Sequence, residues 1–187
     1  DTYYDTLPWD CVLINNLQGA FSATNYIIQQ TKSQPGYLRS AYPIGNFNER
    51  ADGFFRAIRA NGMSASKSQM LYLTPSTEGA YADMCSLLAS GEEPVNCYFA
   101  DNDSIAIGAI KAFQEAGYRI PHDVSIIGFD NIPLCTYVAP ALTTINVPKQ
   151  YMGRMAVQRL IQTLRETEHY PTKIEIRTNL VKRNSIR

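Results

Sequence analysis

The order of apolar and polar positions along the chain predicts an alternation of strands and helices. Short runs rich in β-branched and aromatic residues, typical of strands buried on both faces of a parallel sheet, occupy residues 11–14, 36–38, 70–74, 95–100 and 124–129. Between them, apolar residues recur at three- and four-residue intervals, which is typical of helices with one buried side. These helices are predicted at residues 19–30, 49–60, 78–89 and from Asp103 or Ser104, either of which would be the N-cap. The alternation predicts an α/β fold with helices on a parallel sheet.

Beyond Pro140 the pattern changes. Residues 142–147 are predicted to be extended, and residues 150–165 to form a helix with an apolar side. Two closing strands are predicted at residues 173–176 and 179–181. The basic residues near the end of the chain allow either a phosphate contact or a solvated terminus, and we expect the solvated terminus. Residues 42–48 are predicted to form a polar loop.

Polar side chains follow each predicted strand of the main sheet. They are Asn15-Asn16, Arg39-Ser40, Thr74, Asp101-Asn102-Asp103 and Asp130-Asn131. In a parallel sheet the carboxyl ends of the strands share one edge, where ligands bind in open α/β folds. The sequence VSIIGFDN, residues 124–131, ends abruptly at Asp130, which is therefore the first candidate for a binding residue. The alternative is that these residues only complete turns and caps.

The composition of the chain argues against a nucleic-acid-binding domain and against a membrane protein. The chain of 187 residues is 45% apolar and 18% charged, which is typical of a globular domain. Its 17 basic and 17 acidic residues leave no net charge, whereas a nucleic-acid-binding domain usually has a basic excess. The four cysteines form no CxxC pair, so we expect reduced, buried thiols in a reducing compartment. No apolar run reaches transmembrane length, so we expect no membrane partner.

The sequence carries no recognisable catalytic motif. There is no phosphate-binding glycine loop, no dinucleotide fingerprint and no GxSxG elbow, and neither His122 nor His169 has a metal-ligand partner at helical spacing. Asp101 and Asp103 would form a carboxylate pair for acid–base chemistry, but Asp103 is better explained as a helix cap. We therefore expect no cofactor, no metal and no enzymatic activity.

Several segments together resemble the LacI/GalR family of bacterial transcription regulators. In chain order they are GAFSATNYII, GYLRS, NFNERADGF, ADNDSIAIGAIKAFQEAGYRIPHDVSIIGFDN, PALTTINVPKQYMG and LVKRNSI. The resemblance implies a periplasmic-binding-protein-like (type I) fold of two α/β subdomains with a small-molecule effector between them. It also implies an amino-terminal helix-turn-helix that binds operator DNA.

The resemblance also implies a division of this chain. Residues 1–16 would be the last strand of the amino-terminal subdomain, and residues 17–147 the carboxyl-terminal effector-binding subdomain. Residues 148–173 would be the returning helix of the amino-terminal subdomain, and residues 174–187 the closing strands and tail. The chain would then be a fragment without the DNA-binding headpiece and most of the first subdomain. We expect the uncovered apolar side of the returning helix to pack on another copy.

By the same resemblance, six residues are candidates for effector binding. Arg50 and Asp130 occupy the family's effector-contacting arginine and aspartate positions, and Asn102 and Asn15 align with pocket positions. Asn46 and Asn48 lie close enough to join them. For Arg50 the alternatives are a surface ion pair with Glu49 or Asp52, or a buried pair with an aspartate across an empty cleft. The family's aromatic stacking position falls near Pro75, where no aromatic residue is present.

The function that the resemblance implies is the effector-sensing region of a cytoplasmic, homodimeric LacI-type repressor. The effector would be a small metabolite such as a sugar, and operator DNA would be bound only through the absent headpiece. The alternative is a sugar-binding protein that serves a transporter, which has the same fold.

Overall fold

The computed structural model describes residues 8–42, 44–165 and 167–187. In chain order its strands and helices are β1 (Cys11–Ile14), α1 (Asn16–Thr31), β2 (Gly36–Ser40), α2 (Gly45–Ala60), β3 (Met70–Leu73), α3 (Thr77–Ala89), β4 (Cys97–Ala100), α4 (Asp103–Glu115), β5 (Ser125–Ile127), β6 (Thr144–Asn146), α5 (Lys149–Thr163), β7 (Lys173–Ile176) and β8 (Asn179–Val181). The predicted α/β fold class is confirmed.

The main sheet consists of four parallel strands in the order β3-β2-β4-β5. Side chains alternate between its two faces, as in any strand. Tyr37 and Phe99 pack with α1 and α2 on one face, whereas Leu38 and Tyr98 pack with α3 and α4 on the other. Both faces are therefore buried, which explains the nearly continuous apolar runs in the sequence.

Glycine lets α1 and α2 approach each other closely. A Cβ atom added at Gly53 would lie 2.3 Å from the carbonyl oxygen of Leu17, well inside contact distance. By contrast, a Cβ atom at Gly153 on α5 would meet no atom within 4 Å. The packing of α1 on α2 therefore depends on the missing side chain at residue 53.

Two small sheets complete the described chain. β1 pairs in parallel with β7, and β6 pairs antiparallel with β8. The helix α5 packs on β1 but leaves Val157, Leu160 and Ile161 exposed, and Leu164 directly after the helix is exposed as well. The exposure agrees with the expected uncovered apolar side, while packing on another copy stays a prediction.

The polar loop predicted at residues 42–48 is wrong in its second half, because α2 begins at Gly45. No side chain caps this helix start. Instead, Phe47 is buried, and its ring lies 5.4 Å from the guanidinium carbon of Arg50. Burial of an aromatic ring in the first turn supplies the stability that a polar cap would otherwise give.

The predicted solvated terminus is also wrong. The carboxyl-terminal tail returns to the edge of β5, where the backbone N–H of Ile126 donates to the carbonyl of Ser185 at 2.9 Å. The fully buried Ser185 hydroxyl donates to the Ile126 carbonyl at 2.6 Å and accepts from the Thr143 N–H at 2.9 Å. The guanidinium of Arg187 donates to the carbonyl of His122. The tail is thus part of the folded domain.

The four cysteines are free thiols, of which Cys97 and Cys135 are buried and Cys11 and Cys85 half-buried. Among the residues described, no helix combines the length and the apolar character that crossing a bilayer requires.

Candidate effector-binding site

Arg50 lies at the centre of the polar cluster beside the carboxyl edge of the sheet. Arg50 is only 2% exposed, and its guanidinium carbon lies 3.8 Å from the centre of the Phe129 ring. Nε donates to Asn16 Oδ1 at 3.0 Å, Nη1 donates to the Asp101 carbonyl, and Nη2 donates to Asp130 Oδ1 at 3.2 Å. The sequence allowed Arg50 to form either a surface ion pair with Glu49 or Asp52, or a buried pair with another aspartate. The structure shows the buried pair, with Asp130.

Asp130 reaches this cluster through an unusual backbone conformation. Its φ is +109° and that of Asn131 is +50°, values that residues other than glycine seldom adopt. The Asp130 N–H donates to the Ile145 carbonyl at 2.9 Å, and its own carbonyl accepts from Lys149 Nζ at 2.6 Å. Burial raises the pKa of the Asp130 carboxyl, and the charges of Arg50 and Lys149 partly offset this rise. The side chain is 28% exposed, so solvent reaches the ion pair from this side.

A small cavity lies where β1 ends, beside Asn16, which accepts a hydrogen bond from Arg50. Its volume is about 180 Å³, and it is lined by Ile14, Asn15, Asn16, Leu17, Glu49 and Glu175. Asn15 caps α1 by accepting from the Gln18 N–H at 2.8 Å, and its Nδ2 donates to Glu175 at 3.1 Å. Asn16 Nδ2 donates to Glu49 at 2.9 Å. Amide and carboxylate groups therefore surround this space, and one of them, Asn16, is also a hydrogen-bond partner of the buried Arg50.

Asp101 and Asp103 lie close in sequence but serve different partners. Asp101 is fully buried, and its carboxylate accepts from the Ser40 N–H at 2.7 Å and from the Tyr37 hydroxyl. Burial raises the pKa of Asp101 to about 6 despite these hydrogen bonds. The same burial also raises the pKa of the Tyr37 hydroxyl, and the Asp101 charge adds to that effect.

The interpretation of Asp103 as a helix cap is wrong. The cap of α4 is Asn102, whose side chain accepts from the Ile105 N–H at 2.8 Å. The buried Asp103 carboxylate instead accepts from the Ile132 N–H at 2.9 Å and from the Thr144 hydroxyl at 2.5 Å. Burial raises its pKa to about 6, against the lowering effect of these two bonds. Asp103 thus joins the start of α4 to β6.

The remaining predicted residues have different surroundings. Asn48 is exposed and accepts from Arg39 Nη2 at 3.0 Å. Asn46 lies in the first turn of α2, and its buried Oδ1 accepts no hydrogen bond from any described residue. Arg50, Asp130 and the Asp101 carbonyl meet, whereas the side chain of Asn102 is used in the helix cap.

Asn16, Glu49 and Lys149 also lie in the cluster, although none of them was predicted from the sequence to bind the effector. The pair Asn15-Asn16 was visible as a polar strand end, but its position alone favoured neither residue over the other. Glu49 stood out only as a neighbour of Arg50. Nothing in the sequence indicated that Lys149 lies near Asp130, since it was known only to follow Pro148 at the start of a predicted helix.

The chemistry of this cluster is that of a hydrogen-bonding site. Arg50 and Lys149 donate, Asp130 and Glu49 accept, and the asparagines can do both. Such a mixture suits hydroxyl groups, which also donate and accept. In the described parts of the chain, no group of three or more histidine, cysteine or acidic side chains could hold a metal ion.

Comparison with known proteins gives a consistent result. Residues 34–186 match the periplasmic binding protein-like domain family. The HTH-type transcriptional regulator GalS of Salmonella typhimurium is 32% identical over 176 residues, covering 94% of this chain and 52% of GalS. The solved complex of the transcriptional regulator CelR with cellobiose has a TM-score of 0.86 at 25% identity, covering 95% of this chain and 54% of CelR. A LacI family transcriptional regulator from Enterococcus faecium with bound ribose has a TM-score of 0.85 at 29% identity, covering 95% of this chain and 65% of that one.

The chain spans about half the length of the curated relatives it matches. These relatives and the two solved structures are transcription regulators, which does not favour the transporter-associated alternative. The resemblance found in the sequence is confirmed, including the periplasmic-binding-protein-like fold. The chain belongs to the periplasmic binding protein-like domain family, in the form that LacI-family transcriptional regulators carry.

Proposed function

We propose that this chain is the effector-sensing region of a LacI-type repressor, and that its effector is a sugar or a related hydroxyl-rich metabolite. The observation that carries the proposal is the buried Arg50 paired with the partly exposed Asp130 at the carboxyl edge of the sheet. A vicinal diol can donate to the carboxylate and accept from the guanidinium at the same time. The cellobiose and ribose bound to the two solved regulators support this ligand class.

Asn46 gives independent support. A buried amide oxygen without a donor costs free energy, and native proteins usually satisfy such groups. Asn46 lies one turn before Arg50 on α2, so a ligand hydroxyl beside Arg50 would be a suitable donor for its Oδ1. Asn15, Asn48 and Asn102 remain proposed effector contacts on the basis of the resemblance.

In this proposal the effector changes the balance between two arrangements of the regulator. The effector acts only through a difference in its affinity for the two arrangements. Operator DNA would be bound by a region outside these 187 residues, and the working regulator would be a cytoplasmic homodimer.

The test uses the protein encoded by the complete gene and the variants Asp130→Ala and Asp130→Asn. Calorimetry against ribose, cellobiose and a set of nucleobases identifies the effector of the wild-type protein. Loss of the two hydrogen-bonding oxygens in Asp130→Ala should weaken effector binding by about a hundredfold or more. Affinity for a DNA site selected from random sequence should stay unchanged in the absence of effector.

Asp130→Asn separates charge from shape, because asparagine tolerates the positive φ of this position. Asp123→Asn is the matched control, since Asp123 pairs with Arg119 at an exposed site on another part of the chain. Normal effector binding by Asp130→Ala, or equal losses in Asp130→Ala and Asp123→Asn, would contradict the proposal.

A further inference from the structure

Asn16 and Glu49 form a hydrogen-bonded relay that ends on Nε of the Arg50 guanidinium group, whereas Asp130 contacts Nη2. Asn16 Oδ1 accepts from Arg50 Nε at 3.0 Å, and Asn16 Nδ2 donates to Glu49 Oε2 at 2.9 Å. Only one orientation of the amide satisfies both partners. The reverse orientation would place an N–H against the arginine and an oxygen against the carboxylate. Glu49 therefore determines which end of Asn16 faces Arg50.

The other contacts of Arg50 leave it little freedom. Nη1 donates to the Asp101 carbonyl, and one face of the guanidinium lies over the Phe129 ring. With Nε held by Asn16, three contacts define both the position and the plane of the group. The remaining Nη2 points to Asp130, the partly exposed partner through which solvent reaches the pair.

The relay begins at Asn16, where the chain passes from the β1–β7 sheet into α1, which packs on the main sheet. Asn16 is the first residue of α1 and directly follows Asn15, whose N–H donates to the Ile176 carbonyl in β7 at 2.9 Å. Asn16 is only 4% exposed, and its hydrogen bond from Arg50 is buried and therefore shielded from water. The place of Arg50 thus depends on where the link between β1 and α1 lies.

We propose that Asn16 and Glu49 are positioning residues for effector binding, which hold the guanidinium of Arg50 in the orientation that presents Nη2 to Asp130 and to a ligand. The inference rests on the proposed function above and extends it to Asn16, which contacts Arg50, and to Glu49, which contacts Asn16. Neither residue needs to touch the effector. Preorganisation of this kind strengthens binding because the ligand does not have to order the arginine.

The first test measures effector binding by the full-length gene product and its variants, with ribose and cellobiose as probes. Asn16→Ala should weaken binding of whichever sugar the wild type binds by about tenfold to a hundredfold, the cost of one hydrogen bond to a charged group. Glu49→Ala should weaken it less, and Glu49→Gln should recover most of that loss because its Oε1 still accepts from Asn16. The control Asn25→Ala should keep wild-type affinity, since it removes a similar amide hydrogen bond to Asn61 elsewhere on α1.

The second test needs no ligand. The pKa of Asp130 is followed by carbon NMR in the 187-residue chain. Among the described residues, the charged groups that act on its carboxyl are Arg50 from α2, Lys149 from α5 and Asp103 from α4. If Asn16 holds Arg50 in place, Asn16→Ala should raise the pKa of Asp130 because the compensating positive charge becomes less fixed. Asn25→Ala should leave that pKa unchanged.

The two tests separate this inference from the proposed function. If the wild type binds neither sugar, the sugar-effector proposal loses its support, while the pKa of Asp130 still decides the role of Asn16. An unchanged pKa in Asn16→Ala, in a variant with wild-type circular dichroism, would overturn the inference. Sugar affinity in Asn16→Ala within about twofold of the wild type, where the wild type binds, would do the same.

Discussion

The buried carboxyl of Asp103 should make the chain less stable as the pH rises through the acidic range. The group is fully buried, with a pKa raised from 3.8 to about 6. Asp103→Asn removes the charge and keeps the shape. Asparagine Oδ1 can accept from the Ile132 N–H, and its Nδ2 can donate to Thr144 Oγ1 once that hydroxyl rotates. The variant therefore isolates the free-energy cost of ionisation.

The structure gives both the magnitude and the sign. The rise of the pKa from 3.8 to about 6 corresponds to about 3 kcal/mol, at about 1.4 kcal/mol per pH unit. Because the folded chain holds its proton more tightly than the unfolded chain, the folded state binds more protons between these two pKa values. The free energy of unfolding should therefore fall as the pH rises from about 4 to about 6, and level off above that range. Asp101, whose pKa is also raised to about 6, should add a similar contribution that remains in Asp103→Asn.

The assay is urea unfolding followed by circular dichroism at several pH values between about 4 and 7.5. The stability of Asp103→Asn relative to the wild type should increase with pH from about 4 to about 6 and then stay constant. Asp101→Asn provides a parallel measurement on the second buried carboxyl. Stability profiles of wild type and Asp103→Asn that stay parallel over the whole range would refute the reasoning, because they would mean that Asp103 titrates alike in the folded and unfolded states.

Two further substitutions test the packing, both by urea unfolding. Ser185→Ala should cost about 2–4 kcal/mol, because it leaves the buried donor and acceptor that its hydroxyl satisfies without partners. Gly53→Ala should cost about 1–3 kcal/mol, since the new methyl group would push α1 away from α2. Gly153→Ala, in the open space beside α5, should instead stabilise the chain by up to about 1 kcal/mol.

The outcomes that speak against these predictions are specific. A wild-type free energy of unfolding for Ser185→Ala would mean that the tail does not contribute to the fold. Equal effects of Gly53→Ala and Gly153→Ala would show that helix propensity, rather than the close approach of α1 and α2, determines the cost at residue 53.

The order of strands and helices could be read from the sequence because its signals are local. Apolar periodicity and nearby turn residues identified every element of the main sheet and the helices on it. The start of α2 was missed because burial of Phe47, which depends on the tertiary fold, replaces a polar cap. The tail was missed for a similar reason, since the partners of Ser185 lie about 40 and 60 residues away in sequence.

The candidate site could be predicted only in part. Asp130 followed from its place at the carboxyl end of a predicted strand, whereas Arg50, which lies on α2, followed only from the family resemblance. The roles of neighbouring residues did not follow, because they depend on the direction of single side chains. Asn102 was expected in the site but caps α4, whereas the unassigned Asn16 holds Arg50. Sequence position cannot distinguish an asparagine that caps a helix from one that faces a site.

The last prediction concerns Asn131, which joins the site to the strands that leave the main domain. Asn131 Nδ2 donates to Asn146 Oδ1 at 2.9 Å, and Asn146 Nδ2 donates to Asn179 Oδ1 at 3.2 Å. Asn146 lies in β6 and Asn179 in β8, the two strands that lead to α5 and return from β7. Because Asp130 and Asn131 are consecutive, an effector that binds as proposed and changes the contacts of Asp130 would also act on Asn131, one of the residues that contact β6.

If the proposed function is right, Asn131→Gly should therefore leave effector binding intact and reduce the change in DNA affinity that the effector causes. Glycine accepts the φ of +50° without strain, so the backbone that places Asp130 is preserved while the hydrogen bonds to Asn146 and from Arg183 are lost. In the full-length gene product, effector affinity measured by calorimetry should stay within about fivefold of the wild type. The change in DNA affinity that the effector causes should shrink by about tenfold, since coupling free energies are of the order of 1–3 kcal/mol. A variant that binds the effector normally and still changes its DNA affinity as the wild type does would show that β6 and β8 receive the signal by another route.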